Sequence, residues 1–141
     1  MLGVKYALDT DVAIASLNRE PSVMERIDVN GVVALPMVVV GELIFGASNS
    51  KRFSENALTY TALIQQNVLL PVDVGTAREY AALKLALRRK GQPIPENDIW
   101  IAAACIFHEL VLVTHDKHFR HCPGLTTEDW LAPLPDDEEG K

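Results

Sequence analysis

Brief apolar runs rich in β-branched residues alternate along this chain with longer stretches of helical length, and this alternation restricts the fold more than any other feature. Such runs, bounded by turn residues, are typical of strands buried on both faces. Strands that alternate with helices favour a parallel sheet with right-handed crossovers and helices on both sides, so we expect an α/β domain. The predicted strands are 4–8, 32–35, 68–72 and 110–113, with a weaker one at 125–126, and the predicted helices are 10–18, 22–28, 38–47, 55–66, 76–90 and 98–108.

The composition favours a single soluble domain. The chain has 141 residues, of which 48% are hydrophobic, enough for a substantial core. Its longest apolar stretch, 32–40, is interrupted by Pro36 and is too short for a membrane span, and Asp9 interrupts any signal-peptide core. Two cysteines are too few for a disulfide framework and fit a reducing compartment. We expect a cytoplasmic protein with a folded domain at 1–132 and an acidic, disordered tail at 133–141.

The net charge restricts the binding partners. A formal charge of -6 argues against a broad basic face that binds polyanions by counterion release. If the substrate is a nucleic acid, bound cations must help to hold it.

Four carboxylates are predicted to share one edge of the sheet. In an open α/β sheet, the carboxyl ends of the strands and the amino ends of the following helices lie together, and ligands bind there. Asp9 ends the first strand, Glu42 lies in the opening turns of the third helix, Asp98 opens the last helix, and Asp116 follows the strand at 110–113.

Glu42 indicates that this edge binds a cation. Its neighbours in VVVGELIFGA are apolar, and a buried carboxylate without a positive partner is costly. Among the four acidic segments only Lys117 offers a nearby positive charge, so a metal ion is the simplest common partner. Oxygen ligands suit Mg²⁺ or Mn²⁺ better than zinc.

Four segments resemble, in order, the successive motifs of the PIN domain, and more narrowly of the VapC-type ribonuclease toxins of bacterial toxin–antitoxin pairs. They are YALDTDV, VVVGELIFGA with its Glu42, NDIWIAA, and LVTHDKHF followed by PGLTTEDW. The resemblance covers residues 5–130, nearly the whole chain. It implies a three-layer α/β/α fold around a parallel sheet and a catalytic, metal-binding acidic quartet, which falls on Asp9, Glu42, Asp98 and Asp116.

The same resemblance implies an activity and partners. The quartet would hold one or two Mg²⁺ or Mn²⁺ ions, and a metal-activated water would attack an RNA phosphodiester, leaving 5′-phosphate and 3′-hydroxyl ends. A homodimer and a VapB-type antitoxin that blocks the acidic site are also implied. Asp11 stands where the family often has Asn, Thr114 matches the family's threonine beside the last acid, and we expect both, with Asn97, beside the metal ligands.

Each acidic residue also has a purely structural explanation. Asn97 and Asp98 suit the N-cap and dipole of a helix. Asp9, Asp11 and Asp116 suit turns that follow strands. Glu42 has the weakest such explanation, since no polar face surrounds it.

For three other groups of residues we expect mainly structural roles. His115, His118, His121 and Cys122 lack paired ligands at zinc-site spacing, so we expect a solvated loop with some RNA contact rather than a zinc site. The basic residues 88–90 suit a helix C-terminus, with RNA backbone contact as the alternative. Trp100 and Trp130 are expected in the core or in an interface.

Two other functions remain open at this point. The segment LDTDVA contains the D-x-D of haloacid-dehalogenase-like phosphatases, with Asp9 as nucleophile, but Ala13 stands where that family has Thr or Val. Alternatively, the acidic pocket could belong to a non-catalytic binding module. Metal-dependent RNA cleavage that is lost in Asp98→Asn would separate the nuclease from this module.

Overall fold

Five short strands lie side by side in a fully parallel sheet with the order β3-β2-β1-β4-β5. The computed structural model describes residues 3–51 and 53–131, so the tail predicted at 133–141 lies outside the described residues. The elements are β1 (Tyr6–Leu8), α1 (Thr10–Leu17), α2 (Pro21–Asn30), β2 (Ala34–Pro36), α3 (Met37–Ser48), α4 (Phe53–Gln66), β3 (Val68–Leu70), α5 (Val74–Lys90), α6 (Glu96–Phe107), β4 (Val111–Val113), a 3-10 helix (Lys117–His121) and β5 (Thr127–Glu128).

The central strands form the middle of the core. Ala7 and Leu8 in β1 and Leu112 and Val113 in β4 are fully buried, as expected for parallel strands covered by helices on both faces. β1 and β4 pair in register, with Leu8 opposite Val113. The expected α/β/α architecture is therefore confirmed.

Local sequence explains where several helices begin and end. Pro21 occupies the first turn of α2, where a missing N–H costs nothing. α5 ends on three basic residues and Gly91, whose φ of 68° places it in the left-handed region that glycine adopts without strain. The expectation that residues 88–90 terminate a helix is thereby confirmed. No helix in the described part of the chain is both long and apolar enough to cross a membrane.

The last strand is present and begins two residues beyond the start of the weak strand predicted near 125–126. Sequence favoured 125–126, whereas β5 comprises Thr127–Glu128 and pairs with Leu112 and Val113. Both β5 residues are exposed, so no hydrophobic alternation marks the strand.

Trp130 closes this side of the core. Its ring is buried and meets Tyr6 edge to face, with centroids 5.1 Å apart, while its Nε1 donates to Glu128 over 3.1 Å. This confirms the expected core position. Trp100 is half-buried and stacks on Tyr80 at a centroid distance of 3.8 Å.

Candidate metal centre

The acidic residues lie where the strand order of the sheet changes direction. From β1, the chain continues to β2 and β3 on one side, and returns to β4 and β5 on the other. Asp9 follows β1 directly, and Thr114 follows β4 directly. A crevice at the carboxyl ends of two such strands is the usual ligand site of an open α/β sheet.

Asp9 is a buried carboxylate held by two hydrogen bonds. It is 6% exposed and caps α1, with Oδ1 accepting from the Thr10 backbone N–H over 2.8 Å. Its Oδ2 accepts from Thr114 Oγ1 over 2.7 Å. Burial, together with the charges of Asp98 and Asp11, raises the pKa of Asp9 to about 6, although both hydrogen bonds lower it. Asp9, for which the sequence suggested a turn, thus caps α1 and also faces other acids.

Glu42 reaches the same edge from α3. Thr10 Oγ1 donates a hydrogen bond to Glu42 Oε1, which ties the start of α1 to the second turn of α3. Glu42 is half-buried rather than enclosed, and its apolar neighbours Ile44 and Phe45 are themselves 40% and 72% exposed. The apolar sequence around Glu42 therefore overstated its burial.

Asp98 does not cap its helix. The N-cap of α6 is Pro95, and no side chain makes a capping hydrogen bond there. Instead, Asp98 Oδ2 lies 2.6 Å from Nε2 of His118. Burial raises the pKa of Asp98, the contact with His118 lowers it, and the charges of Asp116 and Glu42 raise it.

Asp116 is both a cap and a member of the acidic edge. It precedes the 3-10 helix, and its Oδ1 accepts from the His118 N–H over 3.4 Å and lies 2.7 Å from His118 Nδ1. Its own N–H donates to Thr114 Oγ1 over 3.0 Å. Thr114 thus links Asp9 to Asp116 through one buried hydroxyl.

The other two residues predicted beside the metal ligands lie at exposed positions. Asp11 is exposed in the first turn of α1 and acts on Asp9 through its charge. Asn97 is exposed in the first turn of α6. Two residues that contact the acids were missed: Thr10, which no pattern marked, and His118, which was assigned to a solvated loop. The signal for His118 was its position two residues after Asp116.

Within the described residues, His115, His121 and Cys122 lie outside the one group of close potential metal donors, to which only His118 of segment 115–122 belongs. His115 Nδ1 pairs with Asp129 over 2.8 Å, and the His121 carbonyl accepts from Lys90 Nζ over 2.9 Å. Cys122 is buried, which raises the pKa of its thiol to about 11. Cys105 is also buried and its thiol pKa is raised by burial, so both cysteines are structural.

The donor atoms at this edge fit a divalent cation. Among residues 3–51 and 53–131, the one group of three close donors is Asp98, Asp116 and His118, whose ligand atoms lie within 4.8 Å of one another. Asp9 and Glu42 stand outside that group, but the charge of Asp98 raises the pKa of Asp9 and the charge of Glu42 raises the pKa of Asp98. Within the same described ranges, no Lys or Arg forms an ion pair with any of these acids. A cation would offset their mutual repulsion.

Comparisons with known proteins agree with this geometry. Residues 6–125 match the family model described as "PIN domain". The chain is 31% identical over 130 residues to the tRNA(fMet)-specific endonuclease VapC of Shigella flexneri, covering 90% of this chain and 98% of that protein. It superposes with a TM-score of 0.86 and 29% identity on a chain of DNA-bound VapBC from Salmonella typhimurium, covering 90% and 98% of the two chains. The corresponding values for VapBC2 from Rickettsia felis, bound to a DNA fragment from its promoter, are 0.84 and 27%, with the same coverage.

Proposed function

The chain belongs to the PIN domain family, and from that membership and the geometry of its acidic edge we propose a metal-dependent endoribonuclease of VapC type. The observation that carries the proposal is the meeting of Asp98 and Asp116 beside buried Asp9 at the switch point, with no Lys or Arg paired to them among the described residues. Relatives over most of the chain are named ribonucleases, which supports an activity on phosphodiester bonds.

We assign the metal to Asp98, Asp116, Asp9 and Glu42, with Mg²⁺ or Mn²⁺ as the ion. The chemistry that a divalent cation supplies in such a site is activation of a water and stabilisation of the charge that develops on the scissile phosphate. Thr114 fixes the position of Asp9 relative to Asp116, and Thr10 fixes the position of Glu42 relative to the start of α1. Asp11 and Asn97, both exposed, flank these residues without contacting them in the described structure.

We propose that an antitoxin of VapB type neutralises the enzyme. The structures that this chain resembles include VapBC complexes from Salmonella typhimurium, Rickettsia felis and nontypeable Haemophilus influenzae. The substrate is RNA, following the ribonuclease relatives. A homodimer and a cytoplasmic location are parts of the same proposal, and both are expected from the resemblance to VapC toxins.

One of the two rival functions loses support. Membership of the PIN domain family argues against a haloacid-dehalogenase-like phosphatase. A binding module without catalysis remains the alternative that an experiment must exclude.

The test is cleavage of RNA by purified chain freed of antitoxin. We expect cleavage with Mg²⁺ or Mn²⁺, none in excess EDTA, and none by Asp98→Asn or Asp9→Asn. Asp11→Asn is the matched control: its side chain is exposed and acts on Asp9 only through its charge, so the variant should keep most of the activity. Full cleavage in EDTA, or by Asp98→Asn, would exclude the metal mechanism. Metal binding without cleavage of any RNA would favour the binding module.

A further inference from the structure

His118 lies between two acids of the proposed site. The 3-10 helix starts immediately after Asp116 and directs the His118 ring back toward the sheet edge. Its Nε2 lies 2.6 Å from Asp98 Oδ2, and its Nδ1 lies 2.7 Å from Asp116 Oδ1. The His118 side chain is 27% exposed, between values of 17% for Asp98 and 40% for Asp116. Both ring nitrogens therefore face carboxylates in a partly buried position.

This position distinguishes His118 from the other histidines of its segment. His115, three residues earlier, has a side chain that is 58% exposed and pairs with Asp129 instead. His121 contributes its backbone carbonyl to Lys90. In the described part of the chain, only His118 joins two acids in a group of close potential metal donors.

The distances suit a shared cation. Metal–ligand bonds of roughly 2.0–2.2 Å at right angles place neighbouring donor atoms about 3 Å apart. The separation of Nε2 from Asp98 Oδ2 is a few tenths of an ångström less, which a small rotation of the ring would correct. A metal-bound imidazole usually donates its second N–H to a carboxylate, and a carboxylate already stands at each of the two nitrogens.

The donor chemistry determines which ion benefits. Carboxylates suit both Mg²⁺ and Mn²⁺, but Mg²⁺ is a hard ion that prefers oxygen ligands, whereas the transition ion Mn²⁺ also accepts an imidazole nitrogen. On the proposed metal-dependent function, we infer that His118 is a nitrogen ligand of the cation held by Asp98 and Asp116, and that it makes this site prefer Mn²⁺ to Mg²⁺. Removal of the imidazole should then weaken Mn²⁺ binding much more than Mg²⁺ binding.

The experiment measures Mn²⁺ and Mg²⁺ binding to full-length, antitoxin-free protein by isothermal titration calorimetry. For His118→Gln, we expect the Kd for Mn²⁺ to rise by about tenfold or more and the Kd for Mg²⁺ to change by less than about threefold. His115→Gln is the matched control and should leave both values unchanged. Thermal melts in EDTA verify that the variants fold, and His118→Asn replaces His118→Gln if the latter does not.

A spectroscopic measurement on the wild-type protein tests the same inference, and the two variants serve as its comparison. Electron spin echo modulation of bound Mn²⁺ should show coupling to an imidazole nitrogen that changes when the histidines carry ¹⁵N, and that is lost in His118→Gln but not in His115→Gln. Absence of this coupling in Mn²⁺-loaded wild type would overturn the inference, as would equal or tighter Mn²⁺ binding by the variant. Wild type that binds Mn²⁺ and cleaves RNA without the coupling would leave the proposed function intact, whereas failure to bind any divalent ion would remove both.

Discussion

Thr114 Oγ1 donates to Asp9 Oδ2 over 2.7 Å and accepts the backbone N–H of Asp116 over 3.0 Å. One buried hydroxyl thus fixes two acids that follow different strands of the sheet. Removal of this hydroxyl should disturb their relative positions without changing any charge.

We predict that Thr114→Val lowers RNA cleavage by about 10–100-fold, the usual effect of losing a residue that orients metal ligands. The free energy of unfolding should fall by about 1–3 kcal/mol, because the Asp116 N–H loses its partner. Thr114→Ser keeps the hydroxyl and should recover most of the activity. Thr126→Val, at an exposed position nearby, serves as control. Undiminished cleavage by Thr114→Val would show that Asp9 and Asp116 need no such link.

A second prediction concerns the stability of metal-free protein as pH changes. The folded-state pKa of Asp9 is raised from 3.8 to about 6, so the folded chain binds a proton more tightly than the unfolded chain. The resulting stability is fully present below about pH 4 and is lost as pH rises through about 6, by no more than about 3 kcal/mol. Asp9→Asn in EDTA should lack this loss and melt at least as high as wild type at pH 7.5.

The measurement is a series of thermal melts in EDTA between pH 4 and 7.5. Asp28→Asn, at an exposed position on α2, is the control and should follow the wild-type curve. If Asp9→Asn melted lower than wild type at every pH, the hydrogen bonds of Asp9 would outweigh its buried charge, and its role would be mainly that of a helix cap.

A third prediction tests packing far from the acids. A Cβ added to Gly75, in the first turn of α5, would lie 2.0 Å from Cζ of Phe107 at the end of α6. Because the added Cβ meets the far end of a ring that is 43% exposed and can rotate, Gly75→Ala should cost about 1 kcal/mol in unfolding free energy. Phe107→Ala in the same chain should remove most of that cost, because it removes the ring.

Gly46→Ala provides the matched comparison for Gly75. An added Cβ at Gly46 meets no atom within 4 Å, and alanine inside a helix is favoured over glycine by about 0.5–1 kcal/mol. Chemical denaturation of the four proteins should show a loss for Gly75→Ala and a small gain for Gly46→Ala. Equal stability of both glycine variants would mean that the Phe107 ring moves aside freely.

A fourth prediction is that the isolated chain forms a homodimer. The described surface carries large apolar side chains, among them Phe45 at 72% exposed and Leu58 at 77%, and such residues favour association. Sedimentation equilibrium should give twice the chain mass at micromolar concentration. A constant monomer mass across a wide concentration range would contradict the prediction.

The sequence predicted the architecture and the acidic edge for the same reason. Parallel strands bring their carboxyl ends together whatever their order, so Asp9 and Asp116 could be assigned to one edge without knowing that β1 pairs with β4. Contacts that depend on the path of the chain beyond the strands could not be found this way. His118 is 20 positions from Asp98, and Thr10 is 32 positions from Glu42.

Burial was also difficult to infer where apolar residues face solvent. Ile44 and Phe45 made the surroundings of Glu42 look like core, although both side chains are exposed. A surface that binds a partner can be as apolar as the protein interior, so composition alone could not show that these side chains are exposed. The reverse held for β5, whose exposed Thr127 and Glu128 carry no pattern typical of a strand.

The pairing of β1 with β4 has a consequence for the order in which the chain is made. Tyr6 and Leu8 are synthesised early, but their partners Val111 and Val113 leave the ribosome only after all six helices. Long-range pairing of this kind cannot form until both segments are available. Asp116, which follows β4, therefore joins Asp9 only after the segment that contains β4 has been synthesised. If the proposed function is correct, a nascent chain in which β4 has not been synthesised lacks an assembled acidic site and cannot cut the RNA of the ribosome that is making it.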